Sequence, residues 1–205
     1  MNQENKNTNK KTNRKDEKLP LSKALILYLH DIVYLLCIMM VVLLLVFRVV
    51  VVSGTSMNMT LLDGDYLLLL SNTFYHNPKQ GDIIVISKDS FDGGVAFVKR
   101  VIATEGQTVD IDFQQGIVYV DGEALQEDYI NNLTTTNGGM KFPLVVDEGC
   151  VFALGDNRGI SKDSRYPDIG LIDKREILGK AIFLIVPGTN KDKVEIDFSR
   201  VGVIE

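Results

Sequence analysis

Apolar and polar positions follow three different rhythms along the chain. The first 19 residues, MNQENKNTNKKTNRKDEKL, offer nothing apolar to bury and read as a disordered tail. From Ile32 the stretch IVYLLCIMMVVLLLVF continues past Arg48 into VVVV, an apolar run broken by a single charge. About 20 apolar residues cross a bilayer as a helix, so the run predicts a membrane span, with the Arg48 stem long enough to carry its charge to the interface. Beyond it come short β-branched runs punctuated by Gly, Asp and Asn: residues 65–71, 82–87, 95–103, 108–113, 117–122, 150–156 and 180–186. These predict a mainly β body. QQG, residues 114–116, suits a hairpin connection, and DKREILG, residues 173–179, is the one short helix expected after the span. Residues 126–143, rich in Asn, Thr and Gly, read as a surface excursion. The expected organisation is a tail over 1–23, an anchor over 24–52 and a β domain over 53–205.

Charge sharpens this picture. The formal net charge of −5 is unevenly spread: residues 1–31 carry seven Lys/Arg against four Asp/Glu, leaving 15 against 23 for the rest. The acidic body argues against nucleic acid as a partner. The basic flank predicts a cytoplasmic N-terminus, with the body on the other side of the membrane. A cleaved leader would have an apolar region of about 7 to 15 residues, shorter than this run. Cys37 lies in the span and Cys150 in the body, so a disulfide between them is not expected. With only His30 and His76, and no CxxC or HExxH pair, a His/Cys metal site is not expected either.

Candidate chemistry begins where the span ends, in VVVVSGTSMNMTLLDGD, residues 49–65. A serine in this position can be a simple cap or turn residue, so its significance depends on an activating base elsewhere. No GxSxG elbow surrounds Ser56, and of the two histidines only His76 could share its compartment. A desolvated lysine is the other option, because burial disfavours the ammonium form. Lys99 sits inside the apolar run VAFVKRVIA, and strand alternation turns its neighbour Arg100 to the opposite face. Taken alone, the pair could be two solvated strand charges. The third segment, GDNRGISKDSR at residues 155–165, could alone be an Asx-rich turn.

In this order the three segments resemble the boxes of a type I signal peptidase, the membrane-bound serine protease that removes signal peptides from exported proteins. SGTSMNMTL (53–61) is similar to the nucleophile box, GDIIV (81–85) to the next, KRVI (99–102) to the lysine box and GDNRGISKDSR to the last. The resemblance implies a single N-terminal transmembrane helix and a β-rich catalytic domain of antiparallel sheets. It makes Ser56 the nucleophile, Lys99 the general base and Ser161 the serine that hydrogen-bonds and orients the lysine. Asp163 and Arg165 become a structural ion pair, while Asp156, Asn157 and Arg158 shape the turn. The Ser56 backbone N–H becomes one arm of an oxyanion hole. Some relatives place a serine two positions before the nucleophile as the second arm; here that position is Gly54, leaving Ser53 as a weak substitute. Met59 stands where the family has proline, which removes a fixed φ from this turn.

The resemblance further implies that small residues at positions −1 and −3 of an extended substrate enter shallow apolar pockets. Val52, Met57, Phe97 and Val98 are the expected lining, although strand residues of this kind can equally be ordinary core. Signal peptides, the lipid bilayer and the export machinery are the implied partners, and neither metal nor organic cofactor is required. Two other readings remain at this level. A non-catalytic relative acting as an assembly factor or chaperone for exported or surface-fibre proteins would lose Ser or Lys, and both are present. A self-cleaving Ser-Lys transcriptional regulator would need a DNA-binding domain in place of the span.

Overall fold

The computed structural model describes residues 20–89, 91–188 and 196–204. Residues 1–19, expected to form the tail, lie outside these. The chain divides into two compact units, Met1–Val42 and Leu43–Glu205. The helix α1 (Leu21–Val46, 26 residues), most of which belongs to the first, is about 39 Å long at ~1.5 Å per residue, enough for a hydrocarbon core of ~30 Å. Its apolar side chains are exposed all round, which fits a transmembrane helix.

The helix starts three residues before the expected boundary and ends sooner. Phe47–Val51, expected to continue the span, forms β1 and pairs antiparallel with β2 (Tyr66–Ser71), Val49 opposite Leu68 and Val51 opposite Tyr66. Arg48 is therefore a strand residue. Val52, the last residue of the expected anchor, is 4% exposed in the core of the β domain.

The remaining strands are β3 (Ile83–Ile86), β4 (Phe97–Thr104), β5 (Thr108–Asp112), β6 (Ile117–Val120), β7 (Glu123–Ala124), β8 (Leu144–Val145), β9 (Cys150–Leu154), β10 (Ile172–Asp173), β11 (Ile177–Val186) and β12 (Gly202–Val203). They make two antiparallel sheets. The larger runs β1-β2-β11-β3-β4-β9-β10, with β12 added to β11, and the smaller runs β7-β6-β5-β8. All seven expected runs contribute a strand. QQG does close the β5–β6 hairpin, where Gly116 takes φ +73° and its N–H reaches Asp112 O at 2.6 Å. The expected helix at 173–179 is only a three-residue 3-10 turn, Lys174–Glu176. Its Asp173 and Glu176 do form a capping box, but Ile177 then begins a ten-residue strand that buries its alternate side chains.

Alternation explains why β3 is apolar throughout. Ile83 and Val85 enter one core with Val52, Met57, Leu61, Leu67 and Leu69, whereas Ile84 and Ile86 enter another with Val101, Val151 and Ala153. A third core joins Val109, Ile111, Val118 and Val120 of the smaller sheet to Phe152 and Leu154 of β9. The central strands β3 and β4 are thus buried on both faces, and a charge placed there meets no bulk water.

Candidate active site

Ser56 rides on a closed loop. The Val52 N–H donates to Asp65 O at 2.8 Å and the Gly64 N–H to Val52 O at 2.9 Å, joining the two ends. Val52, Met57 and Leu61 sink into the core, each at most 4% exposed, while Ser53 is exposed and Thr55, Ser56, Asn58 and Thr60 are half-buried. Gly54 adopts φ +93°, a conformation a side chain would strain, and its N–H is held by Asp63 Oδ1 at 2.8 Å. Among the described residues the Ser56 N–H has no acceptor within the protein.

The base candidate comes from β4. Lys99 is 3% exposed, and its Nζ lies 2.8 Å from Ser56 Oγ, 2.8 Å from Val98 O and 5.4 Å from the centre of the Phe97 ring. Burial lowers its pKa to about 8, against the partly opposing pull of Asp163 and Asp156 and with a smaller downward push from Arg165. A substantial fraction of this lysine is therefore neutral near physiological pH, while it still touches the serine oxygen. Arg100 turns elsewhere, as alternation requires: it forks onto Asp156 (Nε–Oδ1 3.0 Å, Nη2–Oδ2 2.9 Å) and covers the Tyr129 ring at 4.0 Å.

The third expected segment wraps the nucleophile. The Asn157 N–H donates to Ser56 O at 3.0 Å and its side-chain amide to Thr55 O at 3.1 Å, so this residue holds the peptide groups on both sides of the Ser56 α-carbon. Thr60 Oγ1 donates to Asp156 Oδ2 at 2.5 Å. Asp163 and Arg165 form the expected pair, fully buried, with Nε–Oδ1 at 2.8 Å and Nη2–Oδ2 at 2.9 Å. Asp163 Oδ2 also accepts the Gly155 N–H at 3.1 Å. Gly155 has room for no side chain: a β carbon there would overlap Ser161 Oγ and stand 2.5 Å from Ser56 O.

Ser161 departs from expectation. Its hydroxyl is buried beside Gly155 but has no hydrogen-bond partner among the described residues, so the expected bond to Lys99 is not formed. Lys99 instead spends a donor on the carbonyl of Val98.

The four expected lining residues do meet. Val52, Met57, Phe97 and Val98, with Ser53, Val85 and Ala96, line a pocket of about 50 Å³ that opens beside Ser56. Val52 and Met57 serve the core as well. Ser53 is exposed on the rim. His76 lines a separate pocket with Tyr75, Pro78, Lys174 and Arg175, sharing no residue with the one at Ser56.

Several supporting residues escaped the sequence reading. Residues 126–143 do run over the surface, with Thr134 alone among them buried, and they are tied to the site: Arg158 forks onto Glu127 (3.0 and 2.5 Å) while bonding Thr134 Oγ1 at 2.6 Å. Arg165 adds a bond to Thr136 O at 3.0 Å. An Arg four residues or fewer from each acidic box residue was visible, but its distant partner was not.

A buried lysine touches a loop-borne serine in a domain of antiparallel β-sheets, and one apolar helix of membrane-span length precedes that domain in the sequence. The family described as signal peptidase, peptidase S26, matches residues 25–186. A probable signal peptidase I-1 from Synechocystis is 40% identical over 146 residues, covering 67% of this chain and 70% of that one. A signal peptidase I from Bacillus licheniformis is 36% identical over 149 residues, covering 69% and 77%. A solved signal peptidase I from Enterococcus faecalis is 31% identical, covering 51% of this chain and 96% of its own, with a TM-score of 0.43. The chain belongs to the signal peptidase family, serine endopeptidases that cleave signal peptides.

Proposed function

We propose that this chain is a single-pass membrane endopeptidase that cuts signal peptides from exported precursors after small residues, using Ser56 and Lys99 through an acyl-enzyme. The observation that carries this reading is the 2.8 Å approach of Lys99 Nζ to Ser56 Oγ at a lysine only 3% exposed. Neutral Lys99 takes the Ser56 proton as Oγ attacks the scissile carbonyl. The oxyanion that forms is received by the unengaged Ser56 N–H, with the Ser53 hydroxyl on the pocket rim the candidate for a second donor. The Lys99 ammonium then protonates the leaving amine, which becomes the mature N-terminus. In the second half, neutral Lys99 takes a proton from water as the water oxygen attacks the acyl carbon; the bond to Ser56 Oγ then breaks, the Lys99 ammonium returns the proton to Oγ, and the signal peptide leaves with a free carboxylate.

Asn157 and Gly155 keep the nucleophile backbone in place, and the Asp163–Arg165 pair builds the turn that carries Ser161. Ser161 orients Lys99 in the working complex, a role supported by its buried, uncommitted hydroxyl next to the nucleophile. The pocket beside Ser56, about 50 Å³ and walled by Val52, Met57, Phe97 and Val98, is small and apolar, which supports a preference for small side chains next to the scissile bond. The basic N-terminal flank supports a cytoplasmic tail with the β domain outside, where precursors leave the export machinery. We take the anchor as the helix, residues 21–46, with a tail before it and the catalytic domain over 47–205, in place of the expected bounds 1–23, 24–52 and 53–205.

Purified full-length protein in detergent, incubated with a precursor bearing an Ala-x-Ala site, tests the reading. A new mature N-terminus in mass spectrometry, absent with Ser56→Ala, is the expected result. Binding without cleavage would instead make the chain a non-catalytic assembly factor.

A further inference from the structure

We propose that Arg200 is a positioning residue for the nucleophile, acting from a C-terminal segment folded over the loop that carries Ser56; the inference rests on the Ser-Lys reading above. Arg200 lies beyond the residues that the family matches. It ends a 3-10 turn, Phe198–Arg200, capped by the Asp197 side chain, which accepts the Ser199 N–H at 3.0 Å. The next residues form β12, with Val203 opposite Phe183, and the Ile204 N–H donates to Ile182 O at 3.2 Å. Ile204 packs against the core that holds Met57 and Leu61. The segment is therefore pinned to the body directly after Arg200, and the turn that carries Arg200 is capped locally.

From that position the guanidinium forks onto Asp65, Nη1–Oδ1 2.9 Å and Nη2–Oδ2 2.7 Å, and Nη2 also reaches Thr60 O at 3.3 Å. Asp65 is fully buried and organises the end of the loop, accepting the N–H groups of Leu62 at 2.7 Å and Gly188 at 2.6 Å. Thr60 is thus held twice, its hydroxyl by Asp156 and its carbonyl by Arg200. Asp156 is in turn held by Arg100, next to the base. Two arginines from distant parts of the chain fix the same residue, four positions after the nucleophile. Losing the Arg200 fork frees the Thr60 carbonyl and Asp65, and so removes one of the supports of the loop that sets the distance between Ser56 Oγ and Lys99 Nζ. Substrate contacts, which belong to the pocket on the other flank of Ser56, keep their residues.

Steady-state cleavage of the Ala-x-Ala precursor is compared for the parent, Arg200→Ala, Arg200→Lys and Arg175→Ala, the last removing an exposed guanidinium paired with Asp173. Arg175→Ala matches the parent. Arg200→Ala lowers kcat about 10- to 100-fold with KM within about twofold, because sub-ångström to ångström misplacement of reacting groups costs up to ~10²-fold. Arg200→Lys keeps the charge without the fork and recovers part of the loss. The pH at which kcat rises stays at the parent's value, since the surroundings of Lys99 are unchanged; a general loosening that wetted the lysine would move it upward. A parent-like kcat for Arg200→Ala, or a loss confined to KM, overturns the proposal. Should Arg200→Ala fail to fold, Arg200→Lys decides: an intermediate kcat supports positioning and a parent-like kcat overturns it. A parent that leaves the precursor uncut overturns the Ser-Lys reading and this inference with it.

Discussion

Arg100 and Asp156 form a buried fork, with side chains 4% and 0% exposed, that joins the strand of the base to the turn against the nucleophile loop. Asp156 extends the link to Thr60, so one carboxylate gathers three segments separated in sequence. A pair of this kind is worth little against well-packed apolar residues, but its halves cannot be parted cheaply.

Arg100→Ala and Asp156→Ala are each expected to lower unfolding stability by ~3–5 kcal/mol, because each leaves the opposite charge buried and unpaired. The double variant should lose less than the sum, as residues in one network couple. Denaturant titration of the four proteins in the same micelle measures this directly. Strict additivity would mean that the two do not act as a pair.

Gly155→Ala is expected to cost more than 100-fold in kcat, since the added methyl would overlap Ser161 Oγ and press on Ser56 O. Ser161→Ala should lower kcat about 10- to 100-fold without loss of stability, because the hydroxyl it deletes has no hydrogen-bond partner among the described residues. Parallel kinetics and thermal melts separate the two effects. A Ser161→Ala protein with parental kcat would remove this serine from the mechanism.

The strands of the β domain were legible because β-branched alternation survives burial on one or both faces, as in β5, where Val109 and Ile111 are buried and Asp110 is exposed. β1 was not, because VVVV prolongs the apolar run of the helix, and an apolar stretch without alternation carries no period to separate strand from span. Asp173 and Glu176 gave a true capping signal that three residues of 3-10 turn suffice to satisfy. Ser56 and Lys99 were readable from local boxes that resemble a family. Their supports were not, since Arg158–Glu127, Arg100–Asp156 and Arg200–Asp65 span 31, 56 and 135 residues, and nothing local specifies such loop-to-loop partners.

Lys99→Met should make the folded protein more stable near neutral pH while destroying activity, the cost of a buried base being removed with it. The folded pKa of about 8 lies below the 10.5 of the free side chain, so between these values the unfolded chain binds more protons than the folded one. Stability of the parent therefore rises with pH through this window, and the penalty is fully present below about 8. The advantage of Lys99→Met, up to ~3 kcal/mol at ~1.36 kcal/mol per pKa unit, should shrink between pH 8 and 10.5. Melting curves across that range provide the check, and a pH-independent difference would contradict a depressed pKa.

The most direct measurement is the pH dependence of precursor cleavage by the parent beside Lys99→Arg, with folding of both verified. Only the neutral amine can accept the Ser56 proton, so kcat/KM of the parent should rise with an apparent pKa of about 8. Lys99→Arg preserves the charge but stays protonated at every working pH, and should leave the precursor intact throughout. Cleavage by Lys99→Arg, or a parent profile that rises near the histidine range and vanishes with His76→Ala, would contradict the Ser-Lys mechanism.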